Sequence, residues 1–188
     1  MFGEFLSIIV KSIKLDKSLY KDARNFGEAA IYYALLIILF GSIISIIPNS
    51  SFLNYMNLNF GLGPIKGPSL KAIILSSFIM WIIKTTYLYF VGVVLFPNKK
   101  TSCNFRKMII LVAFAQSPLL LNFIVFNELF LFFILISYVW YNITLIIGLN
   151  IVLNYNNYIK TTFVSIAPQI IFLIYFLSLF QGQPGTVS

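Results

Sequence analysis

The chain has 188 residues, 60% of them hydrophobic, 18% aromatic and only 10% charged, with a formal net charge of +8 and a mean hydropathy of +0.93. A typical soluble domain carries about 25% charged residues, so the composition excludes an ordinary soluble core and puts the chain among integral membrane proteins. The sequence holds no histidine and a single cysteine, Cys103, which removes histidine-based catalysis, the commonest transition-metal ligand and any intramolecular disulfide.

Over Phe2 to Leu15, the residues Phe2, Phe5, Leu6, Ile9 and Ile13 recur at helical spacing, with Glu4, Ser7, Lys11 and Lys14 towards the other side. The pattern predicts an amphipathic helix lying on a membrane surface. Glu4 stands where a signal peptide has its basic region and no small-residue cleavage site follows, so this segment is expected to stay on the mature protein. Residues 1–27 are thus read as a charged, cytoplasmic N-terminal segment.

Ala29 to Ile47 then runs 19 residues without a charge, about 28 Å as a helix and close to the roughly 30 Å hydrocarbon core. Pro48 to Leu70, carrying Gly61, Gly63, Pro64, Gly67 and Pro68, reads as the longest exposed loop. Further spans are expected over about 72–96, stopped by Pro97-Asn98-Lys99-Lys100, and over 108–126, entered through Arg106-Lys107. Asn127-Glu128 alone separates the third span from a fourth at 129–153, which predicts a tight helical hairpin; a fifth runs from 161 to 180. Residues 28–180 therefore form one transmembrane domain, all-α, and 181–188 a polar tail. Trp81 with Gly92, and Trp140 with Gly148, open the two C-terminal hairpins alike and hint at a parallel repeat.

Orientation follows from lysine and arginine near the span ends. With the N-terminus inside, the inner segments hold Lys11, Lys14, Lys17, Lys21, Arg24, Lys99, Lys100, Arg106, Lys107 and Lys160, and the outer ones only Lys66 and Lys71. Ten against two predicts a cytoplasmic N-terminus and, with five spans, an external C-terminus. The same distribution assigns the positive charge to anionic headgroups and not to nucleic acid.

Lys84 lies near the middle of the second span, where a lysine costs about 2.5–3.5 kcal/mol on insertion scales. Such a residue is expected to face the bundle interior, a water-filled cavity or a partner. Gln116 and Ser117 in the third span, Asn142 in the fourth and Gln169 in the fifth lie at similar depth. With Lys84 they are the candidate intramembrane polar site, against the plainer reading of interhelical hydrogen bonding. Pro118 and Pro168 interrupt spans and free backbone carbonyls for nearby Ser and Gln side chains to satisfy. No catalytic residue, metal ligand or cofactor motif is identified.

The pattern as a whole resembles the Yip family, the Ypt-interacting proteins, in its short bacterial form. The features that carry the resemblance are Gly61-Leu62-Gly63-Pro64 with Gly67-Pro68, Trp81 leading to Tyr89-Phe90-Val91-Gly92, Phe105-Arg106 after a basic loop, Ala113-Phe114-Ala115-Gln116-Ser117-Pro118, and Trp140. The resemblance implies a five-span bundle with a cytoplasmic N-terminus. Eukaryotic relatives bind Rab-type GTPases through a longer cytoplasmic region; here that region is short and an Asp-Leu-Tyr-Gly-Pro-like motif is missing, which puts small-GTPase binding in doubt. The sequence therefore leads to a non-enzymatic protein of a bacterial cytoplasmic membrane that organises or binds membrane-protein partners or further copies of itself. The alternative is a small-solute or lipid transporter or binding protein built around Lys84.

Overall fold

The computed structural model describes residues 2–22, 26–45, 69–98, 101–124 and 130–181. Among these every regular element is helical: α1 (Phe2–Ile13), α2 (Ser18–Lys21), α3 (Glu28–Ile44), α4 (Leu70–Tyr89), α5 (Phe105–Ala115), α6 (Phe130–Val152) and α7 (Tyr158–Gln181). α4 runs on as a π-helix over Phe90–Leu95, and α5 is followed by a 3-10 helix over Ser117–Ile124. Among the described residues three helical stretches, Leu70–Leu95, Phe105–Phe123 and Phe132–Val152, are long and apolar enough to cross a membrane. α3 is shorter, at 17 residues. The long Gly/Pro loop and the Asn127-Glu128 hairpin expected from sequence lie outside the described residues, apart from the Ser69-Leu70 end of the loop.

Local chemistry sets the helix starts. Ser69 caps α4, its side chain accepting from the Ala72 N–H, and Asn104 caps α5 by accepting from the Lys107 N–H at 2.8 Å. α5 is the centre of the molecule: Met108 and Ile110 through Ala115 are all buried, against α3, α4 and α6. α4 offers only a seam to it, with Ile73, Trp81, Thr85 and Leu88 buried, while Leu75, Ile79, Met80, Ile82 and Ile83 stay exposed. A helix apolar on both its packed and its outer face is what a lipid-facing wall requires.

The third expected span, Met108–Phe126, is not one continuous α-helix. Proline at 118 has no N–H to give to the Phe114 carbonyl four residues back, and the chain tightens to a 3-10 helix from Ser117. The orphaned carbonyl accepts from the Ser117 hydroxyl at 2.8 Å and from the Ser12 hydroxyl, 102 residues away, at 2.7 Å. A second proline acts alike. In the π-helical stretch the next donor to Gly92 is residue 97, which is proline, and the Gly92 carbonyl accepts from the Tyr155 hydroxyl at 2.6 Å. The two hairpins are not equivalent repeats at this level: α5 breaks at Pro118, whereas α7 continues through Pro168.

The N-terminal helix packs on the bundle with one of its faces. Phe5, Ile8 and Ser12 are its buried face, packed on α5, α6 and the 3-10 helix, because Ser12 is needed at the break. Trp140 Nε1–H donates to the Ile13 carbonyl at 2.9 Å, and Tyr33 OH donates to Glu4 Oε2 at 2.6 Å. Phe2, Leu6 and Val10, spaced by four, remain exposed as an outward apolar stripe. α1 is thus wedged between bundle and surroundings, with one face for each.

Candidate functional site

The residues expected to form one polar patch divide into three groups. Lys84 is half-buried on α4, its ammonium 4.3 Å from the centroid of the buried Tyr141 ring on α6. A cation over an aromatic face is attracted by the ring quadrupole. Among the described residues this ring is the partner of Lys84, in place of a carboxylate.

Asn142 and Gln169 do meet. Gln169 Nε2–H donates to Asn142 Oδ1 at 2.8 Å, Tyr138 OH donates to Gln169 Oε1 at 2.8 Å, and Asn142 Nδ2–H donates to the Tyr138 carbonyl at 2.8 Å. The closed triangle joins α6 to α7. All its members satisfy one another, so it matches the interhelical hydrogen-bonding reading of these amides.

Gln116 and Ser117 form the third group, at the α5 break. Ser117 is buried and spent on the Phe114 carbonyl. Gln116 borders a cavity of about 160 Å³ with Gly41, Ser42, Ser45, Ser77 and Asn122. Among the described residues no hydrogen bond joins any two of the three groups.

Sequence reading missed several members of these networks. Asn122 accepts from the Ser137 hydroxyl at 2.6 Å. Asn150 Oδ1 accepts from Thr161 Oγ1 at 3.1 Å and from the Asn157 N–H at 3.2 Å, closing the α6–α7 turn. The signal available for Ser12 was Pro118 itself, which announces a carbonyl in need of a donor. The hydroxyls of Thr85 and Ser165 are buried with no hydrogen-bond partner among the described residues.

A second feature gathers at one end of the bundle. Arg106 donates to the Gly27 carbonyl at 3.1 Å, so the starts of α3 and α5 adjoin. Asn98 Nδ2–H reaches the Asn154 carbonyl at 2.6 Å and Thr101 Oγ1–H the Leu153 carbonyl at 2.8 Å, which ties the α4–α5 connection to the α6–α7 turn. Asn154 and Asn156 adopt φ of 51° there, the left-handed conformation that asparagine tolerates at a helix end. Tyr20 of α2 packs on Gly148 so closely that a Cβ at 148 would lie 3.0 Å from its ring. The Tyr20 hydroxyl is pushed well above its usual range by burial. Lys17, Lys21 and Arg106 are exposed around this end, Lys107 and Lys160 half-exposed, and Lys160 lies 4.3 Å over the Tyr155 ring.

No group of three or more His, Cys, Asp or Glu side chains that could hold a metal occurs among the described residues. Compared with known proteins, the chain matches no family model, no curated protein and no solved structure.

Proposed function

We propose that this chain is a non-enzymatic integral membrane protein, of the Yip type, that holds partners at a fixed basic platform on the cytoplasmic face of the membrane it crosses. The observation that carries the reading is the bracing of the N-terminal segment. Bonds from Ser12 to Phe114, Trp140 to Ile13 and Tyr33 to Glu4 hold α1 and its following turn against the bundle. A braced segment presents Lys14, Lys17 and Lys21 in one geometry, and such fixed charges steer and orient acidic partners and anionic headgroups.

In this reading five spans cross a bacterial cytoplasmic membrane, over about 29–47, 72–96, 108–126, 129–153 and 161–180, with the N-terminus inside and the C-terminus outside. Support for the common side comes from the Arg106–Gly27 and Asn98–Asn154 bonds, which bring three positively charged stretches to one end. Kinship to the Yip family rests on the sequence features quoted for it, of which Ala113 to Pro118 is the stretch that builds the α5 break.

The test is purification of the tagged protein in its native lipid, followed by mass spectrometry of everything retained. A stoichiometric protein partner, lost when Lys17 and Lys21 are both changed to Glu and retained when the exposed Thr86 is changed to Val, is the expected result. A protein that comes out alone in native lipid contradicts the platform reading.

A further inference from the structure

The cavity at the α5 break differs from the rest of the interior in its chemistry. Ser42 and Ser45 lie near the end of α3, Ser77 two turns into α4, and Gln116 and Asn122 at the two ends of the turn and 3-10 stretch that follow α5. The 3-10 stretch that Pro118 imposes runs eight residues, longer than the usual three or four. A Cβ at Gly41 would lie 3.9 Å from the Leu120 side chain, an ordinary contact that places the stretch beside α3.

Each serine has already given its proton to the backbone: Ser42 to Ile38, Ser45 to Ser42 and Ser77 to Ile73. What each can still turn to the cavity is acceptor capacity. Asn122 receives the Ser137 hydroxyl on its Oδ1, which leaves its NH₂ as donor. Gln116 makes no side-chain hydrogen bond to any described residue and supplies both a donor and an acceptor. Among the described residues no charged side chain lines the space. In an apolar surrounding such groups are held unsatisfied only at a cost, so the cavity calls for an occupant that both donates and accepts and is neutral. At about 160 Å³ it is smaller than the roughly 300–1,000 Å³ of drug-sized sites.

We propose that this cavity binds a small neutral polyol group, glycerol itself or the glycerol head of a phospholipid. Acceptors from the three serines and donors from Gln116 and Asn122 suit the hydroxyls of a polyol, each of which both donates and accepts. The proposal does not rest on the basic platform: none of the cavity's lining residues is one of the platform's charged residues.

Two measurements on the detergent-purified full chain test it. One is saturation-transfer NMR with free glycerol. The other is native mass spectrometry after mixing with equal phosphatidylglycerol and phosphatidylethanolamine. The expected result is a glycerol signal or a selective retention of phosphatidylglycerol that falls at least tenfold in Gln116→Leu and in Ser77→Leu and survives in Thr86→Val. A glycerol signal assigns the free solute; phosphatidylglycerol retention without it assigns the lipid head. Ser77→Leu fills the cavity from α4 and leaves the break untouched, so it decides the matter if Gln116→Leu fails to fold. A wild-type protein silent in both measurements, or signals unchanged in a folded Ser77→Leu protein, overturns the proposal.

Discussion

Two carbonyls explain much of how this chain is held together. Phe114 and Gly92 lose their helical donors to Pro118 and Pro97, and each is recovered by a hydroxyl from far along the sequence, Ser12 and Tyr155. Leaving a buried acceptor unsatisfied costs about 1–3 kcal/mol. Tyr155→Phe is therefore expected to destabilise by about that amount, while Ser12→Ala should sit at the lower end because Ser117 still serves Phe114; thermal unfolding in detergent measures both. The prolines and the nearby Ser117 were legible in the sequence. The distant donors were not, since nothing local at Ser12 or Tyr155 says which carbonyl it will meet.

Lys84 was legible as the anomalous residue of its span, and its partner was not. An aromatic ring on another helix carries no sequence signal that links it to a lysine. A cation over a ring contributes about 0.5–2 kcal/mol, less than the roughly 2.5–3.5 kcal/mol that a lysine costs at mid-membrane. Lys84→Leu should therefore raise the unfolding temperature in lipid nanodiscs, and a drop would mean that Lys84 makes an interaction stronger than the one with Tyr141.

At the scale of elements, apolar runs bounded by proline, asparagine and charge gave helix positions close to those observed: 72–96 was expected where Leu70–Leu95 is helical, and 129–153 where Phe130–Val152 is. Continuity was less legible. A proline in an apolar run reads the same whether the helix bends through it, as α7 does at Pro168, or changes type, as α5 does before Pro118. The packed face of α1 is Phe5, Ile8 and Ser12, of which only Phe5 belongs to the apolar set Phe2, Phe5, Leu6, Ile9 and Ile13 read from the sequence; the hydroxyl that Ser12 gives to Phe114 carries no hydropathy signal. The α2–α6 seam is equally particular: a side chain at 148 would strike Tyr20. Gly148→Leu should lift α2 from the bundle and speed tryptic cleavage at Lys17 and Lys21, and Tyr20→Ala in the same chain should restore the helix packing around 148 without restoring protection of the lysines.

For the whole molecule, membrane class was legible from composition alone, because no soluble core has so few charges to cover it. The separation of the polar residues into three groups was not, since depth along a helix says nothing about the direction a residue faces. The same distinction governs Cys103. It lies in a basic connection yet is buried, and burial pushes its thiol up to about 11. The reactive form is the thiolate, so alkylation of Cys103 should be slow at pH 7 and accelerate as pH rises towards 11, whereas a cysteine at the exposed position 102 should react readily near pH 8. Rates of maleimide labelling across that range distinguish the two.

That contrast selects the probe for the central claim, that the N-terminal segment and the basic α4–α5 connection share the cytoplasmic side. In a Cys103→Ser background, Ser18→Cys, Ser102→Cys and Lys71→Cys are each labelled with a membrane-impermeant maleimide in intact and in permeabilised cells. The account predicts that Lys71→Cys is labelled in intact cells, and Ser18→Cys and Ser102→Cys only after permeabilisation. Labelling of Ser18→Cys or Ser102→Cys in intact cells would contradict it.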